Sequence, residues 1–411
     1  LDAELAYTVA MVMFLVLTNR IIPKGVTQRL WVTVAALSAF QYLQVRLVVI
    51  HWEAAWIAIP LLLAELLGLI HMLGFLFVQW MKPEYTPAPG TIGAKYKLYI
   101  LIPTATESPD IVENTICAIL CAKAKLLEHS PSSNVTIVLC NDGLVAGNLN
   151  WRMNERLASR FDIECITRTV PGGAKAGNLQ NVWDTLHIDD ESLVAIFDAD
   201  HTPHPEFFVR TLSYFADPHV GWVQTGQYYR NIDNLIANWA NQQMILFYDN
   251  LCPHKAADDA LFLCGTNFII RACALNEIGG LPMKSPTEDF AASLPMHING
   301  WRSIYLKDRL SSGLGPMDMK SYLRQQSRWA RGCLMVTAEY WREIFLPWQK
   351  GLRFSQRFHY FLSGTHYLGG IRNLIYVLTP MIFLLLGVSA IRTDSPIFLI
   401  SFAVYWIVGM M

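Results

Sequence analysis

The feature that most constrains this chain is where its charge is missing. Residues 1–81 and roughly 370–411 are dominated by apolar runs, whereas residues 90–330 have the mixed composition of a water-soluble domain. Charged residues make up 16% of the chain, against about 25% in ordinary soluble domains, and the deficit is concentrated at the two ends. A chain divided in this way is expected to insert an α/β domain between helices long enough to cross a bilayer.

Three apolar runs open the chain, at 4–19, 30–50 and 55–80. A spanning helix needs about 20 residues, so the first is short. Arg46 falls near the end of the second, where it can reach headgroups or turn towards neighbouring helices. Glu65 lies inside the third, and a carboxyl there is costly unless it packs against protein. Arg20, Lys24 and Arg29 separate the first two runs, His51-Trp52-Glu53 carries no Lys or Arg, and Lys82 follows the third. The excess of basic residues marks the cytoplasmic side. The 20–29 loop and everything from 82 onward are therefore expected in the cytoplasm, as in a multi-pass protein of the plasma (inner) membrane. Nothing resembling a cleavage site follows the first run, which argues against a signal peptide. The apolar ending, Trp406–Met411, reads as a chain that is truncated.

The expected domains are 1–82, about three transmembrane helices; 83–335, a cytoplasmic catalytic domain; 336–369, amphipathic helices lying in the membrane interface, with Trp341 and Trp348; and 370–411, further transmembrane helices. A net charge of −1 gives no field that would attract nucleic acid. The eight cysteines form no Cys-x-x-Cys pair. They are expected to be buried, reduced thiols, Cys117 and Cys121 among them.

Within the middle region a Pro- and Gly-rich linker, Pro83–Gly93, gives way to alternating strand and helix patterns. Strands are expected at Tyr96–Pro103, Val135–Cys140, Ile163–Arg168 and Leu193–Phe197, and helices at Ile111–Leu127 and Gly177–Leu186. Short apolar strands each followed by a helix make a mostly parallel sheet flanked by helices. Ligands of such sheets bind beyond the carboxyl ends of the strands. Asp142 and Asp198 stand at two such ends, and that position makes them candidates.

Asp198 and Asp200 are two residues apart on a turn, so they can share a hard divalent cation with a diphosphate, since Mg²⁺ takes one or two carboxylates plus phosphate oxygens. An acidic solvated turn is the alternative. Lys175 follows Pro171-Gly172-Gly173, where backbone can approach a ligand closely and the ammonium can meet a diphosphate. Thr287-Glu288-Asp289 offers a general base for an acceptor hydroxyl, with Glu288 competing for the role, and the same stretch also reads as a helix N-terminus. Gln325, Arg328 and Trp329 fall at i, i+3 and i+4 on one helix face. The Arg can grip a diphosphate, and the Trp offers a flat platform for a sugar ring.

These pieces together resemble processive family-2 glycosyltransferases, most closely the catalytic subunit of bacterial cellulose synthases. The likeness rests on Asp142-Gly143, Lys175-Ala176-Gly177-Asn178-Leu179, Asp198-Ala199-Asp200, Gln224-Thr225, Phe262–Thr266, Thr287-Glu288-Asp289 and Gln325–Trp329, and it spans about residues 95–390. The resemblance implies a GT-A fold, a UDP-glucose donor, Mg²⁺ or Mn²⁺, and inversion to a β-linked polymer that crosses the membrane. It implies Asp289 as base, with Asp142, Lys175 and Asp198 on the nucleotide. It also implies Asp200 on metal, Arg328 on the pyrophosphate, and Trp329 on the acceptor sugar, with Cys264 and Gly265 bordering the acceptor. An accessory secretion subunit is a further expected partner.

The chain departs from the family pattern twice. Asn141 stands where an Asp is usual, and Gly226-Gln227 stands where Pro-His is usual, which leaves the linkage open. Cellulose is the favoured product, ahead of a (1,3)- or mixed-linkage glucan and of hyaluronan or chitin. A non-processive lipid-linked sugar transferase and a non-catalytic transporter are the competing classes.

Overall fold

A computed structural model describes residues 24–81, 92–93, 95–392 and 396–410, with Ala6, Ala10 and Met13 as isolated positions. Most of the expected first span, 4–19, and most of the 83–93 linker lie outside the described residues. The chain divides into two compact units, Leu1–Pro83 with Thr365–Met411, and Glu84–Gly364. The second unit therefore holds residues 336–364, which the sequence reading set apart as interfacial.

The first unit is helical, with Lys24–Val48, Ala55–Met81, Gly369–Leu386 and Pro396–Met410. Among the described residues two runs are long and apolar enough to cross a bilayer, Trp52–Val78 and Phe354–Leu386. The expected second span is helical but falls short of that standard, because Gln41, Gln44 and Arg46 interrupt it. Arg46 is fully buried and its Nε donates to Glu65 Oε2 at 2.6 Å, while the Tyr42 hydroxyl donates to Glu65 Oε1 at 2.9 Å. Two groups that are expensive in an apolar bundle thus pair with one another, although Arg46 Nη1 and Nη2 are buried without partners.

The second unit is built on a seven-stranded sheet. Its strands are β1 (Lys97–Thr104), β2 (Asn134–Asn141), β3 (Glu164–Thr167), β4 (Leu193–Ile196), β6 (Val220–Thr225), β7 (Phe268–Arg271) and β8 (Arg302–Leu306), and a ribbon pairs β5 (Thr202–Pro203) with β9 (Ser311–Ser312). The order is β3-β2-β1-β4-β7-β6-β8. All neighbours are parallel except at β7, which runs against both β4 and β6.

Alternation within the strands explains why they read as continuous apolar runs. In β1, Leu98, Ile100 and Ile102 enter one core with Val112, Ile116 and Ile119, while Leu101 enters a second core with Leu179, Val182 and Trp183. The helices Pro109–His129 and Ala174–Thr185 cover the two faces. Each fully buried aliphatic side chain contributes about 1.5–3 kcal/mol, so the sheet is a stiff base for whatever its strand ends carry.

Cys117 and Cys121 correct the sequence reading: both are exposed. The buried stripe of their helix is Val112, Ile116, Ile119, Ala122 and Leu126, and the i,i+4 cysteine pair points away from it.

Candidate active site

The carboxyl ends of β1, β2 and β4 open on one side of the sheet. The Asp142 amide donates to the Thr104 carbonyl at 2.8 Å, fixing the ends of β1 and β2 together. Asn141, fully buried, is used up within the fold. Its Nδ2 donates to Trp151 O and Thr167 Oγ1, and its Oδ1 accepts from Gly143 N–H and Asn154 Nδ2. A carboxylate has no donor to offer those first two acceptors, which is the physical reason an amide suits this position. Asp142 is the residue left facing outward, and it is gripped by Arg168 through two bonds of 2.7 Å, Nε to Oδ1 and Nη2 to Oδ2.

Asp198 follows β4, and its amide donates to Thr266 Oγ1 at 2.8 Å. Lys175, in the first turn of its helix, donates to the Asp198 carboxylate and to the Gly265 carbonyl (2.6 Å), with Glu288 Oε1 at 3.9 Å. Burial pulls the Lys175 ammonium down, but the Asp198 and Glu288 charges outweigh it and hold the group above its ordinary range. At Asp200 burial pushes upward, yet the hydrogen bond from His201 (Nδ1 to Oδ1, 2.8 Å) and the neighbouring positive charges keep the carboxyl below its usual range. His201 Nε2 is buried without a partner.

Asp289 lies in the first turn of helix Glu288–Ile298. Thr287 occupies the N-cap position but makes no side-chain cap bond. Its side chain lies instead where a Cβ on Gly332 would have to be. That missing Cβ lets helix Met319–Glu339 close onto the Thr287–Asp289 turn. Arg328 and Trp329, one turn before Gly332, are brought to Asp289 in this way. Gly265 meets the same carboxylate from the other side: its φ is +82°, and a Cβ there would come within 3.2 Å of Asp289 Oδ2. Burial, and then the Glu288 charge, push Asp289 up to about 7, against the pull of the Phe290 N–H, Lys175 and Arg328.

All eleven residues singled out from the sequence, Asp142, Lys175, Asp198, Asp200, Cys264, Gly265, Glu288, Asp289, Gln325, Arg328 and Trp329, line one cavity of about 440 Å³. Gln227, noted from the sequence only as a departure from the family pattern, lies on the same wall, and sequence reasoning assigned no role there to Glu107, His201 or Tyr229. Gln325 Oε1 on this wall is buried without a partner. Gln224, fully buried, accepts from Cys264 N–H at 2.9 Å and donates to Thr266 O at 2.9 Å, and Gln227 Nε2 donates to the Cys264 carbonyl. Arg168 was missed as well, although it follows β3 as Asp142 follows β2, and the strand-end rule that selected Asp142 selects it too.

Among the described residues no three His, Cys, Asp or Glu side chains form a metal cluster. The donor set at Asp198 and Asp200 is two carboxylates beside open cavity. That fits a hard cation completing its shell with diphosphate oxygens and water, and it does not fit a closed all-protein cage.

Comparison with known proteins places the chain among glycosyltransferases. The model of the family described as Glycosyl transferase family group 2 matches residues 193–411, and that of Glycosyl transferase family 2 matches residues 99–279. Putative cellulose synthase 2 of Komagataeibacter xylinus is 27% identical over 404 residues, 94% of this chain and 25% of that protein. Cellulose synthase 1 of the same organism is 30% identical, over 86% of this chain and 22% of its own length. The UDP-forming cellulose synthase catalytic subunit of Xanthomonas axonopodis pv. citri is 29% identical, over 78% and 42%. The chain thus spans about a quarter of the first of these relatives and under half of the catalytic subunit. Among solved structures, a mannosyltransferase from Pyrobaculum calidifontis in complex with GDP-Man and Mn²⁺ superposes with a TM-score of 0.56 at 18% identity, covering 85% of this chain and 96% of that one. At that identity the likeness establishes a shared glycosyltransferase fold.

Proposed function

The chain belongs to glycosyl transferase family group 2, and we propose that it is the catalytic part of a processive, inverting β-glucan synthase. It takes glucose from UDP-glucose, and cellulose is the favoured product. The observation that carries this reading is the convergence of Asp142, Lys175, Asp198, Asp200, Asp289, Arg328 and Trp329 on one cavity. In this reading Asp142 accepts from the uracil N–H, and Lys175 and Arg328 hold the diphosphate. Asp198 and Asp200 would hold Mg²⁺ or Mn²⁺, which would supply positive charge to balance the departing UDP. Asp289 takes the proton from the acceptor hydroxyl as that oxygen attacks the anomeric carbon. A carboxyl raised to about 7 is a stronger base than an exposed one and is still partly ionised near neutral pH. Glu288, beside Lys175, steadies the charge balance, and Cys264, Gly265 and Trp329 border the acceptor.

The polymer leaves through helices of the first unit, in a multi-pass plasma-membrane protein whose second unit is cytoplasmic, and an accessory secretion subunit receives it. The two apolar runs Trp52–Val78 and Phe354–Leu386 support the membrane part, and the relatives named cellulose synthase support the product. Gly226 and Gln227 leave a (1,3)- or mixed-linkage glucan as the second reading.

Membranes containing the protein, given radiolabelled UDP-glucose, are expected to make labelled polymer of high mass that a β-1,4-glucanase releases. Resistance to that enzyme with sensitivity to a β-1,3-glucanase selects the second reading. A single lipid-linked sugar, or no product, overturns both.

A further inference from the structure

We infer that Arg168 is a positioning residue for the donor. It locks Asp142 and the turn that presents Lys175 into one rigid edge, so that affinity for the nucleotide depends on it more than the transfer step does. The inference rests on the cavity being a UDP-sugar site.

Four bonds hold the guanidinium. Nε and Nη2 donate to the two Asp142 oxygens at 2.7 Å each, Nη2 also donates to Ala174 O at 3.3 Å, and Nη1 donates to Gly172 O. These bonds use all but one of the N–H donors an arginine has. The side chain is 4% exposed, and Arg168 is absent from the cavity wall. Its backbone is tied down as well, through an N–H to Asn141 O bond of 3.0 Å. An arginine so committed has a single N–H left and no paired edge with which to clamp a phosphate. It acts through what it holds.

What it holds are two pieces of the cavity that are far apart in sequence. One is Asp142. The paired grip leaves each carboxylate oxygen a free lone pair in a fixed direction, an acceptor-only edge for a nucleobase N–H. Uracil offers a ring N–H to such an edge, whereas cytosine has a bare ring nitrogen at the same place. The other piece is the turn Gly172-Gly173-Ala174, with φ of +141°, +66° and +45°. Ala174 is an L-residue in the left-handed region, which such residues rarely adopt, and Arg168 bonds its carbonyl. Lys175 comes next and reaches Asp198 and Gly265 O. One guanidinium therefore sets the spacing between the group that reads the base and the group that meets the diphosphate. A lysine, a point charge without the planar fork, cannot make these four bonds.

Calorimetry of UDP and CDP binding to the detergent-solubilised chain tests this, together with donor kinetics. The unaltered protein is expected to bind UDP more tightly than CDP. Losing a charge-assisted pair costs about 10–100-fold in affinity, so Arg168→Lys is expected to weaken UDP by about that much and to bring the UDP-to-CDP ratio towards one. Donor KM should rise in step, with kcat at saturating donor falling far less. Asp142→Asn keeps the size, loses the ion pair and is expected to do the same, and the double variant should bind no worse than Asp142→Asn alone. UDP affinity unchanged in either single variant, a kcat loss with KM unchanged, or additive losses in the double variant overturns the inference. Should the lysine variant not fold, the Asp142→Asn arm still decides. Failure of the unaltered protein to bind UDP is a different result, which removes the UDP-sugar reading itself.

Discussion

The two ends of the cavity treat negative charge in opposite ways. At one end Asp142 is matched by Arg168, oxygen for nitrogen, and the nearby Asn141 has both its donors and its acceptor occupied. At the other end Asp198, Glu288 and Asp289 crowd around Lys175, with Arg328 contributing to the same field. The first end is a finished binding surface whose geometry is fixed before anything arrives. The second is electrostatically frustrated, and Asp289 shows it, because a carboxyl with enough partners would not be pushed up to about 7. Binding tolerates rigidity and matched charge. Proton transfer needs a group whose two protonation states lie close in free energy, and crowding supplies one.

The largest test of this contrast is Asp289→Asn. Removing a general base costs on the order of 10²–10⁴-fold, so polymer synthesis should fall by about that factor while UDP binding, read at the other end, stays close to that of the unaltered protein. In the unaltered protein the rate should rise with pH until it levels off above about 7, since Asp289 works deprotonated.

Stability should move the other way. The folded pKa is raised from 3.8, so the folded state binds the proton more tightly than the unfolded chain. That contribution is fully present below about pH 4 and is lost as pH rises through about 7. The Asn variant is therefore expected to melt at a higher temperature than the unaltered protein at pH 8, and the gain should shrink towards pH 4. An active Asn variant, or one less stable at pH 8, breaks the contrast.

A smaller effect is expected one step from the crowded carboxylates. His201 touches Asp200 through Nδ1 and is itself almost buried. Partners that orient metal-binding groups are worth about 10–100-fold in metal affinity. His201→Ala should weaken Mn²⁺ binding by about that much, read by electron paramagnetic resonance titration of the free cation, with UDP binding in the absence of metal unaffected. Unchanged Mn²⁺ affinity would leave Asp200 oriented by its own turn and remove His201 from the crowded end.

Legibility in the sequence followed the same divide. The strand ends at Asp142 and Asp198 could be read because a parallel sheet buries both faces of each strand and leaves an apolar run with a visible stop. The helix face carrying Gln325, Arg328 and Trp329 could be read from its period. What could not be read was pairing across distant segments. Nothing near Asp142 in the chain announces Arg168, 26 residues on, and nothing near Arg328 says that Gly332 is empty so that Thr287 can fill the space. The exposure of Cys117 and Cys121 was missed for a local reason, since apolar neighbours were taken for a buried face when the helical stripe runs through Val112, Ile116 and Ile119. Glu65 was legible as a costly carboxyl in need of a partner, but Arg46 was not legible as that partner, because a position near the end of an apolar run also lets it reach headgroups.

The smallest effect is expected at Trp329, which belongs to neither end. It is partly buried and packs against the cluster of Tyr228, Tyr248 and Tyr305, so its ring is held by protein on one side and faces the cavity on the other. Trp329→Phe keeps a held aromatic face and shortens it. Aromatic contacts contribute on the order of 0.5–1.5 kcal/mol beyond burial, so acceptor grip should weaken by only a few-fold. Neither the base nor the nucleotide edge is touched. The initial rate of glucose transfer should therefore hold while the polymer releases sooner, giving a shorter product by gel filtration. A loss of initial rate as deep as that of Asp289→Asn would mean that Trp329 shapes the reacting end itself. The contrast would then lie between a nucleotide edge and everything else.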